Sequence, residues 1–387
     1  MTNPLFVFSS VWFLVLLLYS LGLTTNLVSP PVIGLLVIII NLFGMLVLYL
    51  LMCAGRRSKE VSLFRESKLL GYLRFIVVVW LLGSSFEVYW SGGLPLLWRL
   101  VDSERLYTEF GVPSFHGVMN AFYLHIVTVS FYLYVRSRGR GFLFFAVILL
   151  CWPVLMLGRG ILLSAIIQMA CVYFYFNRLS PSRFFFLLVL VVSVVVLFGV
   201  IGDMRQEVNP FSYLVDQRYD WVFDNLPSGF LWFYVYLTAG LSNFFANIES
   251  LSTNFQFGGY AFSNLIPTFL RELLKLDPRN DVVEFVDGNL NTSTIYAGFI
   301  SDFGALGGIF LVTVVQFFCC LSYSLLVKGN HWGVFAYPVC FQVLVFSIFY
   351  DMFFLLPTIF QLVICFVLYV YLRSPFLLFN RKGLKVV

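Results

Sequence analysis

"VIGLLVIIINLFGMLVLYLLMC", residues 32–53, carries no charged side chain anywhere along its length. Wound as an α-helix that rises about 1.5 Å per residue, such a run spans a hydrocarbon core of roughly 30 Å. The pattern recurs along the chain. Ten apolar spans are expected, at about 5–23, 32–53, 69–89, 118–135, 141–157, 161–176, 184–202, 304–327, 332–349 and 352–372. With 60% hydrophobic and 11% charged residues among 387, the composition does not fit a soluble core. Membrane barrels are written in short alternating segments, which this chain lacks. The expected fold class is therefore an all-α polytopic membrane protein with about ten transmembrane helices.

All seven cysteines fall inside or at the end of an expected span, which argues against a disulfide framework or a zinc site. The first apolar segment has no basic residue before Arg56 and no small-residue cleavage pattern, so it reads as a retained span.

Lysine and arginine set the orientation. If both termini are cytoplasmic, fifteen of the 24 basic residues lie in inner segments, eight in outer ones, and Arg74 within a span. Seventeen of the 19 acidic residues then sit at or beyond the outer face. A two-signed outer surface beside a bland inner one points to chemistry on the outside.

No repeat, low-complexity tail or linker divides the chain, and 1–387 reads as a single membrane domain. Two outer loops are long, one at 90–117 and a large one at 203–302 between the seventh and eighth spans. Within the second, Gly229 to Ala246 is apolar enough to tempt assignment as a further span. Crossing there would carry six carboxylates to the cytoplasm unless about twelve residues crossed back, which is too few. The segment is expected to be an interfacial or re-entrant helix at the outer face, in keeping with its aromatic content.

A transporter places ionisable groups near mid-membrane, whereas these spans are nearly free of charge: Arg74 is close enough to an inner end to snorkel, and Glu87 is at an outer end. Attention moves to the outer segments. In "NTSTIYAGFISDFGALGG", 291–308, a helical reading lines Asn291, Thr294, Gly298, Ser301, Ala305 and Gly308 into one small-residue stripe, with Gly304 and Gly308 spaced for close helix approach. Asp302 lies beside that stripe at the outer mouth of the bundle, where it can accept a proton, pair with an arginine or cap a turn. Arg159, between Gly158 and Gly160 in a tight outer hairpin, suits a phosphate or a lipid headgroup. Arg205 stands beside Asp203 and Glu207, so it suits a phosphate or a local ion-pair network. Arg271, Arg279 and Arg218 share the large loop, and only convergence on one site would lift them above surface pairs. His116 in "FGVPSFHGVMN" is the one histidine in an outer loop, with a side chain suited to general-base work or to a helix cap. Asp102-Ser103-Glu104 is a short pattern for a metal. No Walker loop, zinc-protease, nucleophile-elbow or CxxC motif occurs.

These pieces together resemble the O-antigen polymerase (Wzy-type) family of oligosaccharide repeat-unit polymerases. The resemblance covers most of the chain as an architecture. Its local signatures are "FEVYWSGGLPLL", "FGVPSFHG", "LGRG", the long outer loop with its aromatic helix and "NTSTIYAGFISDFGALGG". Arg218 followed by Gly229 also has a spacing that some relatives show.

The resemblance implies an enzyme of the bacterial inner membrane, active at its periplasmic face, that moves a growing chain from polyprenyl pyrophosphate to a new lipid-linked repeat unit. Arg159, Arg205 and Arg271 would then stabilise the departing pyrophosphate. Asp302 or His116 would take the proton of the attacking hydroxyl. Asn291, Thr294, Tyr296, Trp221 and Trp232 would hold sugar. Implied partners are polyprenyl-pyrophosphate-linked oligosaccharides and the lipid bilayer, with a chain-length regulator protein as a further candidate; no nucleic acid, cofactor or metal is implied. The rivals are an O-antigen ligase, which delivers the polymer to a lipid core, and a transporter or flippase that binds the same headgroup without breaking a bond.

Overall fold

The structure is a computed structural model. It describes the chain except residues 1, 56–65, 102–103, 178–179, 183–184, 186–187, 190, 194, 197–198, 200–202, 204–208, 252–258, 275–282, 291 and 375–387. The described residues form helices α1 (Pro4–Ser20), α2 (Val32–Met52), α3 (Glu66–Ser91), α4 (Pro95–Leu100), α5 (Phe115–Ser137), α6 (Arg140–Leu149), α7 (Cys151–Leu155), α8 (Arg159–Phe176), α9 (Asp220–Phe223), α10 (Gly229–Leu251), α11 (Thr268–Leu273), α12 (Tyr296–Val327), α13 (His331–Phe346) and α14 (Leu356–Arg373). Among them there is no strand, only an isolated bridge between Thr24 and Val215.

Six helical stretches are long and apolar enough to cross a membrane: α2, α3 continued into α4, α5, α8, α12 and α14. Three shorter apolar stretches, Pro4–Ser20, Arg140–Leu155 and His331–Phe346, accompany them. The expected span at 184–202 falls partly outside the described residues, and those described within it are helical. Among the described residues, six candidate spans thus stand where ten were expected. Two of the expected spans shorten at their C-terminal ends, α1 finishing at Ser20 and α13 at Phe346. At their N-terminal ends Asn3 and Asn330 cap the helices by accepting the first backbone N–H groups of α1 and α13 (Leu5 and Trp332, each 2.8 Å).

Helix surfaces invert the pattern of a soluble protein. On α2, Val32, Leu36, Ile39, Phe43 and Leu50 are exposed while Asn41 is fully buried. Asn41 donates to Ile309 O (3.0 Å) and to Thr313 Oγ1 (3.1 Å), and Gln316 donates back to Asn41 O (3.1 Å), tying α2 to α12. At the centre stands α5, packed against α3, α6, α8 and α14. A second polar knot joins four helices there. Thr128 of α5 donates to Gln168 of α8 (2.6 Å), which donates to Gln342 of α13 (2.6 Å) and to Gln361 of α14 (3.1 Å). Gln361 donates back to Gln168 (2.9 Å), and Gln342 donates to Ser164 (2.9 Å).

The polar connections gather at one end of the bundle, where α1, α3 and α13 finish and α2, α5, α12 and α14 begin. Here α10 lies buried along most of its length, longer than the Gly229–Ala246 segment expected from sequence. It packs on α1, α2 and α12. Its polar residues are used up by connections at this end: Ser242 bonds Asn26 and Val28, Asn243 bonds Leu290, Thr292 and Val286, and Asn247 bonds Glu284. These partners tie α10 to the connections at this end.

The small-residue stripe expected along one face of 291–308 does not run straight. Gly304 leaves the helix at φ 69° and ψ −179°, a conformation open essentially to glycine, and breaks α12 in two. The halves fold on each other. A Cβ at Gly308 would meet Ile300 Cγ1 at 2.4 Å, so the glycine admits a residue of its own helix rather than a neighbouring one. Asn291, the first member of that stripe, lies outside the described residues.

Candidate functional site

Glu87 sits one turn before the end of α3 with 1% of its side chain exposed. Its Oε1 meets Nδ1 of His116, in the first turn of α5, at 3.1 Å. The loop between them must run very close to both. Gly111 takes φ +94°, and a Cβ there would meet the His116 ring at 2.8 Å and Glu87 Oε1 at 2.9 Å. Glycine is therefore required at 111 on two counts, space and backbone. The Gly111 N–H donates to Ser91 Oγ (2.9 Å), and Phe110 stands edge-on to the imidazole at 5.5 Å.

His116 is 29% exposed, and what it faces is a cavity of about 380 Å³. The cavity walls come from three places: the loop into α5, the segment 264–271 that runs into α11, and the start of α14 at Leu356 and Pro357. Arg271 lines it too. Its Nη2 donates weakly to Thr268 Oγ1 (3.3 Å), while its Nε is buried and has no hydrogen-bond partner among the described residues. The loop segment is clamped at both ends. Ser114, held at φ 66°, accepts from the Thr268 N–H at 2.6 Å. At the other end, the Tyr260 N–H donates to both oxygens of Asp302 (3.0 and 3.2 Å) and the Ala261 N–H to its Oδ2 (2.6 Å).

Asp302 is fully buried and receives these two backbone donors. Of the three roles open to it from sequence, this geometry is nearest to a cap, with the turn it satisfies supplied by a remote part of the chain. It does not line the cavity. Among the expected residues, His116 and Arg271 meet there. Arg159 is exposed in the first turn of α8 and lies outside the cavity lining. Arg205 lies outside the described residues, as do Arg279 and the Asp102-Ser103 part of the acidic triplet. Arg218 forms a surface pair with Asp216 at 2.8 Å, which holds that carboxyl down at about 2.

The residues expected to bind sugar are dispersed. Tyr296 is fully buried between Trp12 (5.3 Å) and Phe244 (5.4 Å), and Thr294 is 2% exposed. Trp232 is also core: it stacks on Tyr236 and donates its indole N–H to Asp203 at 2.8 Å. Neither aromatic ring lines the His116 cavity, because both fill the packing beneath the long loop. Trp221 is 69% exposed and does not line the cavity.

Two participants were not singled out from sequence in these roles. Glu87 is near its partner only through folding, being separated from it by 29 residues; it was noted only as an outer carboxylate. Asp351, in the turn between α13 and α14, accepts from the Phe353 N–H (2.9 Å) and the Phe354 N–H (3.2 Å) and so shapes the approach to Leu356 and Pro357. Burial pushes its carboxyl up to about 7, against the lowering effect of those two bonds.

Chemically, the cavity offers a guanidinium with an unused buried donor opposite an imidazole whose Nδ1 is engaged by a buried carboxylate. That engagement leaves Nε2 as the ring nitrogen available to the cavity. No protein-family model matches the chain, and neither does any curated protein or solved structure.

Proposed function

We propose that this chain is a membrane-embedded glycosyltransferase that polymerises lipid-linked oligosaccharide repeat units, an O-antigen-polymerase-like activity. The observation that carries the reading is the meeting of His116, backed by Glu87, and Arg271 at one cavity on the loop-rich end of an apolar bundle. In this reading ten spans, with the helical stretch before 203 as the seventh, cross a bacterial inner membrane. Both termini are cytoplasmic, and the cavity opens to the periplasm.

The acceptor hydroxyl gives its proton to His116 Nε2 as its oxygen bonds to the anomeric carbon of the donor sugar. The bond from that carbon to the pyrophosphate oxygen breaks, and the electron pair leaves with the pyrophosphate. Arg271 stabilises that developing charge, with its buried Nε as the free donor. The polyprenyl tail remains among the exposed apolar helix faces.

The test is reconstitution of the full chain in vesicles with lipid-linked repeat units. A ladder of product lengths is the expected result. A single transfer to a core lipid would assign a ligase instead, and intact substrate in the presence of bound lipid-linked saccharide would reject an enzyme.

A further inference from the structure

At the opposite end of the bundle, α3 and α6 both pack on α5 and leave a groove of about 480 Å³ between them. Its walls are apolar, with Leu73 and Val77 on one side and Phe142 and Phe145 on the other. One cation, Arg74, enters it. Arg74 is exposed on α3 eight residues beyond Glu66, about 12 Å along the helix at about 1.5 Å per residue. It has no hydrogen bond or ion pair among the described residues. Of the other basic residues described at this end, Lys68 donates to Ser374 O, Arg138 donates to Asn177, Arg136 and Arg373 lie over aromatic rings, and Arg140, at the start of α6, and Lys328 do not line the groove. Gly141 lines the groove with nothing within 4 Å of the place where a Cβ would stand.

We propose that this groove binds an anionic membrane phospholipid, with its phosphate on Arg74 and one acyl chain between α3 and α6. Charge complementarity selects the headgroup. A guanidinium on a membrane-facing helix without a protein counter-charge is costly unless an anion or water reaches it, and the groove brings a headgroup to that depth. The apolar walls select the chain, because a free phosphate would gain nothing from Phe142 or Phe145. The site is independent of the glycosyl-transfer reading, since it lies at the other end of the bundle.

Native mass spectrometry of the detergent-solubilised full chain tests it, with dioleoyl phosphatidylglycerol and dioleoyl phosphatidylcholine as probes in competition. The wild type is expected to retain phosphatidylglycerol about fivefold more strongly, the factor that goes with one basic residue at an anionic surface. Arg74→Gln is expected to abolish that preference, and Gly141→Leu, whose Cβ meets open space in the groove, to remove one bound lipid of either kind. Inorganic phosphate is expected not to displace the lipid. Equal retention of the two lipids by the wild type, an unchanged preference in Arg74→Gln, or displacement by inorganic phosphate would each overturn the proposal.

Discussion

Asp302 and His116 are both candidates for a base in the sequence, and their surroundings separate them. Asp302 spends both oxygens on the backbone of residues 260 and 261, whereas His116 keeps one nitrogen for the cavity. Asp302→Asn retains an acceptor oxygen and is expected to keep most of the transfer activity, while Asp302→Ala, which orphans two buried donors, lowers the melting temperature and the activity together. An inactive but fully stable Asp302→Asn protein would restore the aspartate as base. For His116→Ala the expected loss in turnover, measured on reconstituted protein, is on the order of 10²–10⁴-fold, accompanied by a lower melting temperature because the buried Glu87 loses its partner. Asp351 makes a prediction in pH. Its folded value of about 7 lies above the ordinary carboxylate range, so between the unfolded value and about 7 the native state holds the extra proton. Stability from this group is complete at low pH and is lost as pH rises towards 7. A thermal melt series should show that slope in the wild type and not in Asp351→Asn. Very little of this was legible beforehand: the sequence marks which carboxylates are outside, but whether one faces a backbone turn, an imidazole or water depends on contacts 29 to 42 residues away.

Among the elements, apolar runs announced most of the helices because length and the absence of charge are properties of a contiguous segment. The break in α12 was not legible, since a glycine in an apolar run fits a seam between helices as well as an elbow within one. Gly304→Ala separates the two. The elbow predicts a loss of about 1–3 kcal/mol through its strained φ, read as a lower melting temperature, whereas a straight helix would gain from alanine. The glutamine knot also escaped a search for charges. Its members are neutral and spread over four helices, and they matter only because no water reaches them. Gln168→Leu is expected to cost about 1–2 kcal/mol in thermal unfolding by leaving Gln342 and Gln361 without their shared partner.

At the scale of the whole molecule, six helices among the described residues meet the length and apolarity of a span, and three shorter ones run beside them. The charge bias predicts that reporters fused after Val387 and inserted at the exposed Asn225 report opposite sides of the membrane. Reporters on the same side would reverse the assignment of the cavity to the outer face. The large loop, plain in sequence as a long polar interval, resolves into a buried helix and a clamped strap because asparagines on α10 hold the chain that follows it. That strap, tied to Asp302 at one end and Ser114 at the other, carries Arg271 to the cavity. Damage at either knot therefore travels to the guanidinium along the chain. A mutational survey of this protein will score Asp302, which does not line the cavity, as though it touched substrate, and distance from the cavity will be a poor guide to which losses are chemical.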